Sequence, residues 1–350
     1  MKLITLSFLI ALTGFTACSS KTSTQRKPVT NIQISPANRT IVHGNEFTVK
    51  LQSRYTKPEI ESIELYLNDS LLTTSKNADF EYTINTRTLL PGQYSLRTIA
   101  KNSKNQSGTN VSKIAIVSGT APQRLSYTIK GTLDHNTANY TQGFEFYNNN
   151  LYEGTGNYAE SQLFAYQMPG LNVIRTHQLD DRYFGEGITI LNDKLYQLTY
   201  KAQKGFVYNA KTFEPIGEFR FQSKEGWGLT NDGTHLIMSD GTSKITYLDP
   251  QNFKIVKTIE VSHPKGFVNH LNELEYVDGA IYANIWPGET IVKFDAQTGN
   301  VIAFIDMRGL LSNFNTGRID ALNGIAWHKT EQVFYVTGKW WPKIFKITFN

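Results

Sequence analysis

The sequence is poor in the residues that build disulfides and metal sites. It contains one cysteine, Cys18, so an intramolecular disulfide and every multi-cysteine zinc or iron–sulfur site are excluded. Its seven histidines are scattered, and none belongs to a His-Glu-x-x-His pattern. The net charge is only +5, without a Lys/Arg-rich cluster, so nucleic acid is not an expected partner. We therefore expect no catalytic metal.

Long hydrophobic runs are scarce as well. The apolar stretch at residues 3–12 is too short to span a bilayer as a helix. It follows Lys2 and precedes small residues that end at Cys18, an arrangement that resembles a bacterial lipoprotein signal peptide. This predicts a signal peptide at residues 1–17 and an exported lipoprotein. Its lipid anchor on Cys18 would hold it at the periplasmic face of the membrane, the outer membrane or the cell surface. An ordinary secretory signal cleaved nearby is the alternative.

The rest of the chain is rich in β-forming residues, with 18 Tyr and 20 Phe. Residues 18–27 are polar and predict a flexible tether. Residues 28–120 then hold short alternating segments separated by turn residues. About seven such strands in about 90 residues are typical of an immunoglobulin-like or fibronectin-like β-sandwich. The segments quoted for this prediction are residues 32–34, 47–51, 63–67, 80–84, 94–100 and 111–116. They carry no cluster of reactive groups, which favours a spacer or interaction module.

Residues 121–350 contain an internal repeat. Each unit begins with one residue, called here the head residue, which is polar in four of the five units. A short apolar segment follows the head residue, and a second apolar segment comes after it. The five head residues are Gln142, Glu186, Trp227, Asn272 and Asn323, spaced 41 to 51 residues apart. A period in this range, with several strands per unit, is typical of a β-propeller blade. The sequence thus predicts an all-β chain in which a five-bladed propeller follows the sandwich.

The repeat also indicates where chemistry can occur, because equivalent positions in a propeller converge on its axis. Polar residues at strand starts often only satisfy loop backbone groups, which is the structural alternative for each head position. That alternative is weakest for Glu186, a carboxylate between Gly185 and Gly187, since flanking glycines allow close approach of backbone or ligand. We therefore predict that Glu186 is the reactive group.

Many phrases of this region resemble the plant-type glutaminyl-peptide cyclotransferases. Among them are Tyr140-Thr141-Gln142-Gly143-Phe144, Phe184-Gly185-Glu186-Gly187-Ile188-Thr189, Gly226-Trp227-Gly228-Leu229-Thr230, Asn272-Glu273-Leu274-Glu275, Ala283-Asn284-Ile285-Trp286 and Val336-Thr337-Gly338-Lys339-Trp340-Trp341-Pro342. They run in order over nearly all of residues 127–350. The resemblance implies a five-bladed propeller that cyclises an N-terminal glutamine of peptides or proteins to pyroglutamate, releases ammonia and needs no catalytic metal. It also suggests a structural calcium ion in the propeller channel.

The resemblance also implies roles for individual residues. Glu186 matches the family's general acid/base. Gln142, Asn272 and Lys339 fall on pocket positions and can donate hydrogen bonds to an oxyanion. Trp227 and Trp286 would form apolar walls, and Phe184 would pack beneath Glu186. Tyr200 stands where a tryptophan is commoner and keeps an aromatic face.

Two other functions fit a propeller. One is a non-catalytic binding or sensor lipoprotein, because a fold alone implies no activity. The other is a metal-dependent hydrolase or lactonase, which the single acidic head residue disfavours. For the cyclotransferase, a monomer is expected.

Overall fold

The computed structural model describes residues 26–54 and 57–350, and within them the fold is all-β. Its only helical element there is a 3₁₀ turn at Thr86–Thr88, and the rest of the regular structure is β-strand. The predicted signal peptide and Cys18 lie outside the described residues.

The first eight strands form a β-sandwich. They are β1 (Val29–Ser35), β2 (Thr40–Val42), β3 (Glu46–Arg54), β4 (Ile60–Leu67), β5 (Ser70–Ser75), β6 (Asp79–Asn85), β7 (Gly92–Asn102) and β8 (Ser107–Val117). One sheet has the order β1-β3-β6 and the other β2-β8-β7-β4-β5. Alternate residues such as Phe47, Leu65 and Leu96 are buried in one cluster between the sheets. Every predicted segment lies within a strand, and β2 and β5 are additional.

The remaining strands form antiparallel sheets of four strands, one of which gains an extra edge strand. The strands are β9 (Gln123–Leu125), β10 (Tyr127–Asp134), β11 (Thr141–Tyr147), β12 (Asn150–Thr155), β13 (Gln162–Gln167), β14 (Asn172–Gln178), β15 (Gly185–Leu191), β16 (Lys194–Thr199), β17 (Lys204–Asn209), β18 (Pro215–Arg220), β19 (Leu229–Asn231), β20 (Leu236–Ser239), β21 (Lys244–Leu248), β22 (Ile255–Glu260), β25 (Leu271–Val277), β26 (Ala280–Ile285), β27 (Thr290–Asp295), β28 (Val301–Asp306), β29 (Leu322–His328), β30 (Val333–Gly338) and β31 (Lys343–Phe349). A two-stranded ribbon, β23 (Ser262–His263) and β24 (Gly266–Phe267), precedes β25.

These sheets are arranged as a β-propeller. Their first strands β11, β15, β19, β25 and β29 contact one another in that cyclic order, with β29 returning to β11. The last sheet has the order β10-β31-β30-β29 and therefore joins both ends of the region. Strand β9 adds in parallel to the outer edge of β28. The ring is thus closed by backbone hydrogen bonds between β10 and β31.

The inner hairpins turn at residue pairs that suit tight turns. Asn192 and Asp193 both have positive φ angles, 53° and 59°, and connect β15 directly to β16. Asp278 and Gly279, at 48° and 81°, connect β25 to β26 in the same way. Two successive residues with positive φ are the requirement of a type I′ turn, which Asn, Asp and Gly meet at low cost. These turns lie at the opposite end of the inner strands from the head residues.

The head residues lie at irregularities of the inner strands. The strand register shifts between Thr141 and Gly143, between Gly185 and Ile188, and at the equivalent points of β25 and β29. Such bulges re-aim a side chain and increase local twist. Trp227 differs because it lies before β19 and not within it. The backbone N–H of the next residue, Gly228, donates a hydrogen bond to the Ser239 hydroxyl at 2.8 Å.

Glycine is needed beside Glu186 because neighbouring inner strands meet there. A Cβ on Gly187 would lie 2.4 Å from the backbone nitrogen of Leu229, closer than real contacts allow. The Gly187 N–H donates to the Trp227 carbonyl at 2.7 Å. This close approach sets Glu186 next to the Trp227 segment.

Candidate active site

A pocket of about 230 Å³ lies at the end of the propeller where the inner strands begin. Its volume is below the range of about 300–1,000 Å³ that suits drug-sized ligands, so it fits a group the size of one amino-acid residue. The lining residues are Tyr140, Gln142, Phe184, Glu186, Tyr200, Trp227, Asn272, Trp286 and Lys339. All eight pocket residues named from the sequence are therefore brought together, and Tyr140 is additional.

Glu186 is the acidic residue in the lining of this pocket, and it is only 4% exposed. Burial raises the pKa of its carboxyl group well above the ordinary value, although the nearby Lys339 opposes this shift. A carboxyl group with a raised pKa is able both to accept a proton and to return it near neutral pH. This is the behaviour required of a general acid/base, the role that the resemblance implies for Glu186.

Lys339 is buried on the wall formed with Tyr140. Burial lowers the pKa of its amine, against the opposing effect of Glu186. Its Nζ lies 4.6 Å from the centre of the Tyr140 ring, within the range of a cation–π contact. Tyr140 also packs edge-on against Trp340 at 4.6 Å between ring centres. Lys339 is therefore held as a buried donor.

Gln142 is oriented by a neighbouring head residue. Asn323 donates from Nδ2 to Gln142 Oε1 at 3.0 Å and to the Thr141 carbonyl at 3.0 Å. Because the Gln142 oxygen is occupied in this way, its amide NH₂ is the group left to serve a ligand. Asn323 thus acts through Gln142 and is a positioning residue.

Asn272 presents an amide group that is incompletely paired. It is 3% exposed, and its Oδ1 has no hydrogen-bond partner among the described residues. A buried amide oxygen without a donor is costly unless a ligand or ion satisfies it. The Asn272 backbone is fixed, because its carbonyl accepts a hydrogen bond from the Ser239 hydroxyl at 2.7 Å.

Aromatic rings form the remaining walls. Trp227 and Trp286 meet edge to face at 5.8 Å, and Trp286 is 37% exposed. The indole N–H of Trp227 donates to Glu225 at 2.9 Å, which fixes the ring. On the other side, Phe184 contacts Tyr200 at 5.6 Å between ring centres. The pocket therefore has apolar sides around a polar base.

Sequence reasoning missed three glutamates on the inner strands. Glu273 accepts hydrogen bonds from the backbone N–H groups of Phe144 at 3.2 Å and Ile325 at 2.8 Å. Glu145 and Glu275 likewise accept from backbone N–H groups of neighbouring sheets. Glu273 occupies the position where the other four repeats have glycine, and this break in the pattern was the available signal.

Burial raises the pKa of all three carboxyl groups, and that of Glu145 reaches about 8. Within the described residues, no group of three or more His, Cys, Asp or Glu side chains is arranged to hold a metal ion.

The raised pKa values predict an unusual dependence of stability on pH. Between about pH 4.5 and the folded-state pKa values, the folded protein holds protons that the unfolded chain releases, so the free energy of unfolding falls as pH rises. Each such group contributes a slope of about 1.4 kcal/mol per pH unit. Urea unfolding of wild-type protein and Glu275→Gln between pH 5 and pH 8 measures this slope. We expect a shallower slope in the variant, and equal slopes would contradict the prediction.

No helix in the described ranges is long and apolar enough to cross a membrane.

Comparison with known proteins points to one family. The family model described as "Glutamine cyclotransferase" matches residues 97–349, and a model described as "Bacterial Ig domain" matches residues 28–97. A glutaminyl-peptide cyclotransferase of Arabidopsis thaliana is 36% identical over 218 residues, covering 61% of this chain and 68% of the plant protein. The crystal structure of Myxococcus xanthus glutaminyl cyclase matches with a TM-score of 0.60 and 29% identity, covering 66% of this chain and 99% of that one.

The region matched as cyclotransferase includes every strand of the propeller and every residue that lines the pocket. The chain belongs to the glutamine cyclotransferase family, with a bacterial Ig domain at its N-terminal side.

Proposed function

We propose that this protein is a glutaminyl-peptide cyclotransferase, an acyltransferase that converts the N-terminal glutamine of peptides or proteins to pyroglutamate and releases ammonia. The observation that carries the proposal is the buried Glu186 carboxyl in a residue-sized pocket with amide and amine donors around it. The family match and the two cyclotransferase relatives support the same reaction.

The reaction joins two parts of one flexible residue. The α-amine nitrogen attacks the side-chain amide carbon, a C–N bond closes a five-membered ring, and the bond to the departing nitrogen breaks. Holding the glutamine in its folded conformer between Trp227, Trp286 and the Phe184–Tyr200 pair reduces the entropy lost on ring closure. The aromatic walls also exclude water from the reacting atoms.

Glu186 carries the proton in this proposal. The attacking amine loses a proton as the new bond forms, and the departing nitrogen needs one to leave as ammonia. One carboxylate placed between the two nitrogens performs both transfers in turn, so the proton is conserved over the cycle. The raised pKa of Glu186 matches this double role.

The oxygen of the attacked amide becomes negatively charged in the tetrahedral intermediate. Fixed donors stabilise such an oxyanion more than water does. The free NH₂ of Gln142, the amide of Asn272 and the amine of Lys339 are the donors in the pocket lining. We assign them to this role as a group.

We further propose that the propeller has five blades and that the boundary with the sandwich lies near residue 120. The cyclic contacts of the inner strands support the blade count.

A structural calcium ion in the channel is also proposed, supported by the buried and unpaired Oδ1 atoms of Asn272 and Asn323, since calcium favours amide and carbonyl oxygens. The protein is proposed to be an exported monomeric lipoprotein, held at the membrane through Cys18.

The direct test is ammonia release from a glutamine-initiated dipeptide amide, with and without a chelator. We expect turnover above the uncatalysed rate that the chelator does not reduce, because no step is assigned to a metal. The thermal midpoint measured in the same samples reports a structural ion, and we expect the chelator to lower it. Absence of ammonia release above background would exclude the proposed reaction, and turnover abolished by the chelator would favour a metal mechanism.

A further inference from the structure

A second cleft, of about 630 Å³, lies between the sandwich and the propeller. Its sandwich wall is formed by residues 90–94 together with Asn68, and its propeller wall by parts of the β21–β22 sheet and the loop before β19. The two modules touch beside it. The Gln93 backbone N–H donates to the Glu260 carboxylate at 3.3 Å, and the Ser118 N–H donates to the Ser262 hydroxyl at 2.9 Å.

The cleft and the pocket share two loops of the propeller. The loop before β19 places Ser223 and Lys224 in the cleft and Trp227 in the pocket. The loop after β20 places Asp240 in the cleft, while a Cβ on the next residue, Gly241, would lie 2.7 Å from the Trp227 ring. The two loops are tied together, since the Ser223 hydroxyl donates to Asp240 Oδ2 at 3.1 Å.

Unpaired positive charge faces the cleft. Lys224 and Lys244 are exposed, and neither ammonium forms an ion pair within the described residues. The two acidic residues of the lining are half-buried and already accept hydrogen bonds: Asp240 from Ser223 and Thr242, and Glu260 from Gln93 and Ser243. The two lysines balance the two carboxylates in formal charge, but the ammonium groups are exposed to a ligand, whereas the carboxylates are half-buried and directed at donors of the protein.

We propose that this cleft binds the part of a polypeptide substrate that follows its N-terminal glutamine, with a preference for acidic side chains there. The proposal rests on the proposed cyclotransferase function and extends it to a substrate class. It also gives the sandwich a role, because Leu90, Pro91 and Gln93 form one wall of the binding site.

The distances along the chain allow this path. Trp227 and Lys224 are three residues apart, so their Cα atoms are within about 11 Å of each other at full extension. An extended substrate advances about 3.3 Å per residue. With glutamine in the pocket, roughly the fourth to sixth substrate residues would lie beside the two lysines.

The test compares kcat/KM for three Gln-initiated substrates: a dipeptide amide, an octapeptide with Glu at positions 4–6, and an octapeptide with Lys at those positions. In wild-type protein we expect the acidic octapeptide to exceed the basic one on the order of tenfold, through KM and more strongly at low salt. Lys224→Glu/Lys244→Glu should reverse this preference. Leu90→Glu, at a 49% exposed sandwich residue, should reduce it.

Lys329→Glu is the matched control, because Lys329 is an exposed lysine in the turn between β29 and β30, outside the cleft. It should leave the preference unchanged. Equal kcat/KM for both octapeptides, or an equal effect of the double variant and the control, would overturn the proposal. The cleft would then be only a gap in the packing between the sandwich and the propeller.

Binding of the two pyroglutamyl octapeptides, measured by fluorescence anisotropy, distinguishes failure of the cleft proposal from failure of the proposed cyclotransferase function. Absence of ammonia release from all three Gln-initiated substrates would reject the cyclotransferase function. Equal affinity for both product peptides rejects the cleft proposal even if turnover is normal.

Discussion

Replacing Glu186 with glutamine is expected to lower kcat by about 10²- to 10⁴-fold, the contribution typical of a positioned acid/base group. Glutamine keeps the size of the side chain but can neither accept nor return the proton that moves between the two substrate nitrogens. The side chain is buried, and burial already favours its uncharged form. The variant should therefore fold normally, with substrate KM changed much less than kcat.

Initial rates of ammonia release, together with circular dichroism and thermal unfolding, measure both parts of this expectation. Glu160→Gln is the matched control, since Glu160 is exposed and does not line the pocket. Wild-type turnover in Glu186→Gln would remove the residue from the role of proton carrier.

In the wild-type enzyme, the acidic limb of the kcat/KM profile should lie above pH 4.5, because the raised pKa delays ionisation of the carboxyl group.

Replacing Glu153 with alanine is expected to cost about 3–5 kcal/mol of unfolding free energy, the typical result of breaking a buried ion pair. The Glu153 carboxylate is fully buried and accepts hydrogen bonds from His135 at 3.1 Å, Asn139 and Thr141 at 2.7 Å, and Tyr166 at 2.9 Å. Its removal leaves the buried His135 ring and three other donors without their acceptor. Urea unfolding measures the loss.

The same pair predicts a two-sided pH dependence. Burial opposes both charges, yet the mutual attraction keeps the pKa of Glu153 below and that of His135 above its ordinary value. The Glu153 contribution is present above about pH 4.5 and is lost as pH falls. The His135 contribution is present below about pH 6.5 and is lost as pH rises through its folded-state pKa.

Glu218→Ala is the control for the stability experiment, because Glu218 forms an exposed ion pair with Lys204 at 2.7 Å. We expect little measurable change, since exposed pairs contribute little. A loss in Glu153→Ala no larger than in Glu218→Ala would contradict the assigned role of the buried network.

The parts of the structure set by local pattern could be predicted from the sequence. The head residues and their spacing follow from the internal repeat, and turns such as Asn192-Asp193 follow from turn chemistry, which acts over a few residues. The pocket residues came mainly from resemblance, and the structure brings them together. What was missed depends on contacts between distant segments: Asn323 holding Gln142, Tyr140 beside Lys339, and the His135–Glu153 pair. No short window of sequence contains both partners of such a contact.

The closure of the propeller has a consequence for the order in which the protein is made. Strand β10 can complete its sheet only with β31, and their residues Asp134 and Lys343 form an ion pair 209 positions apart. A chain leaving a ribosome or an export channel therefore holds all five inner strands before β31 can close the ring. Lys339 reaches the pocket in the same final step, so catalytic competence and ring closure should appear together during folding.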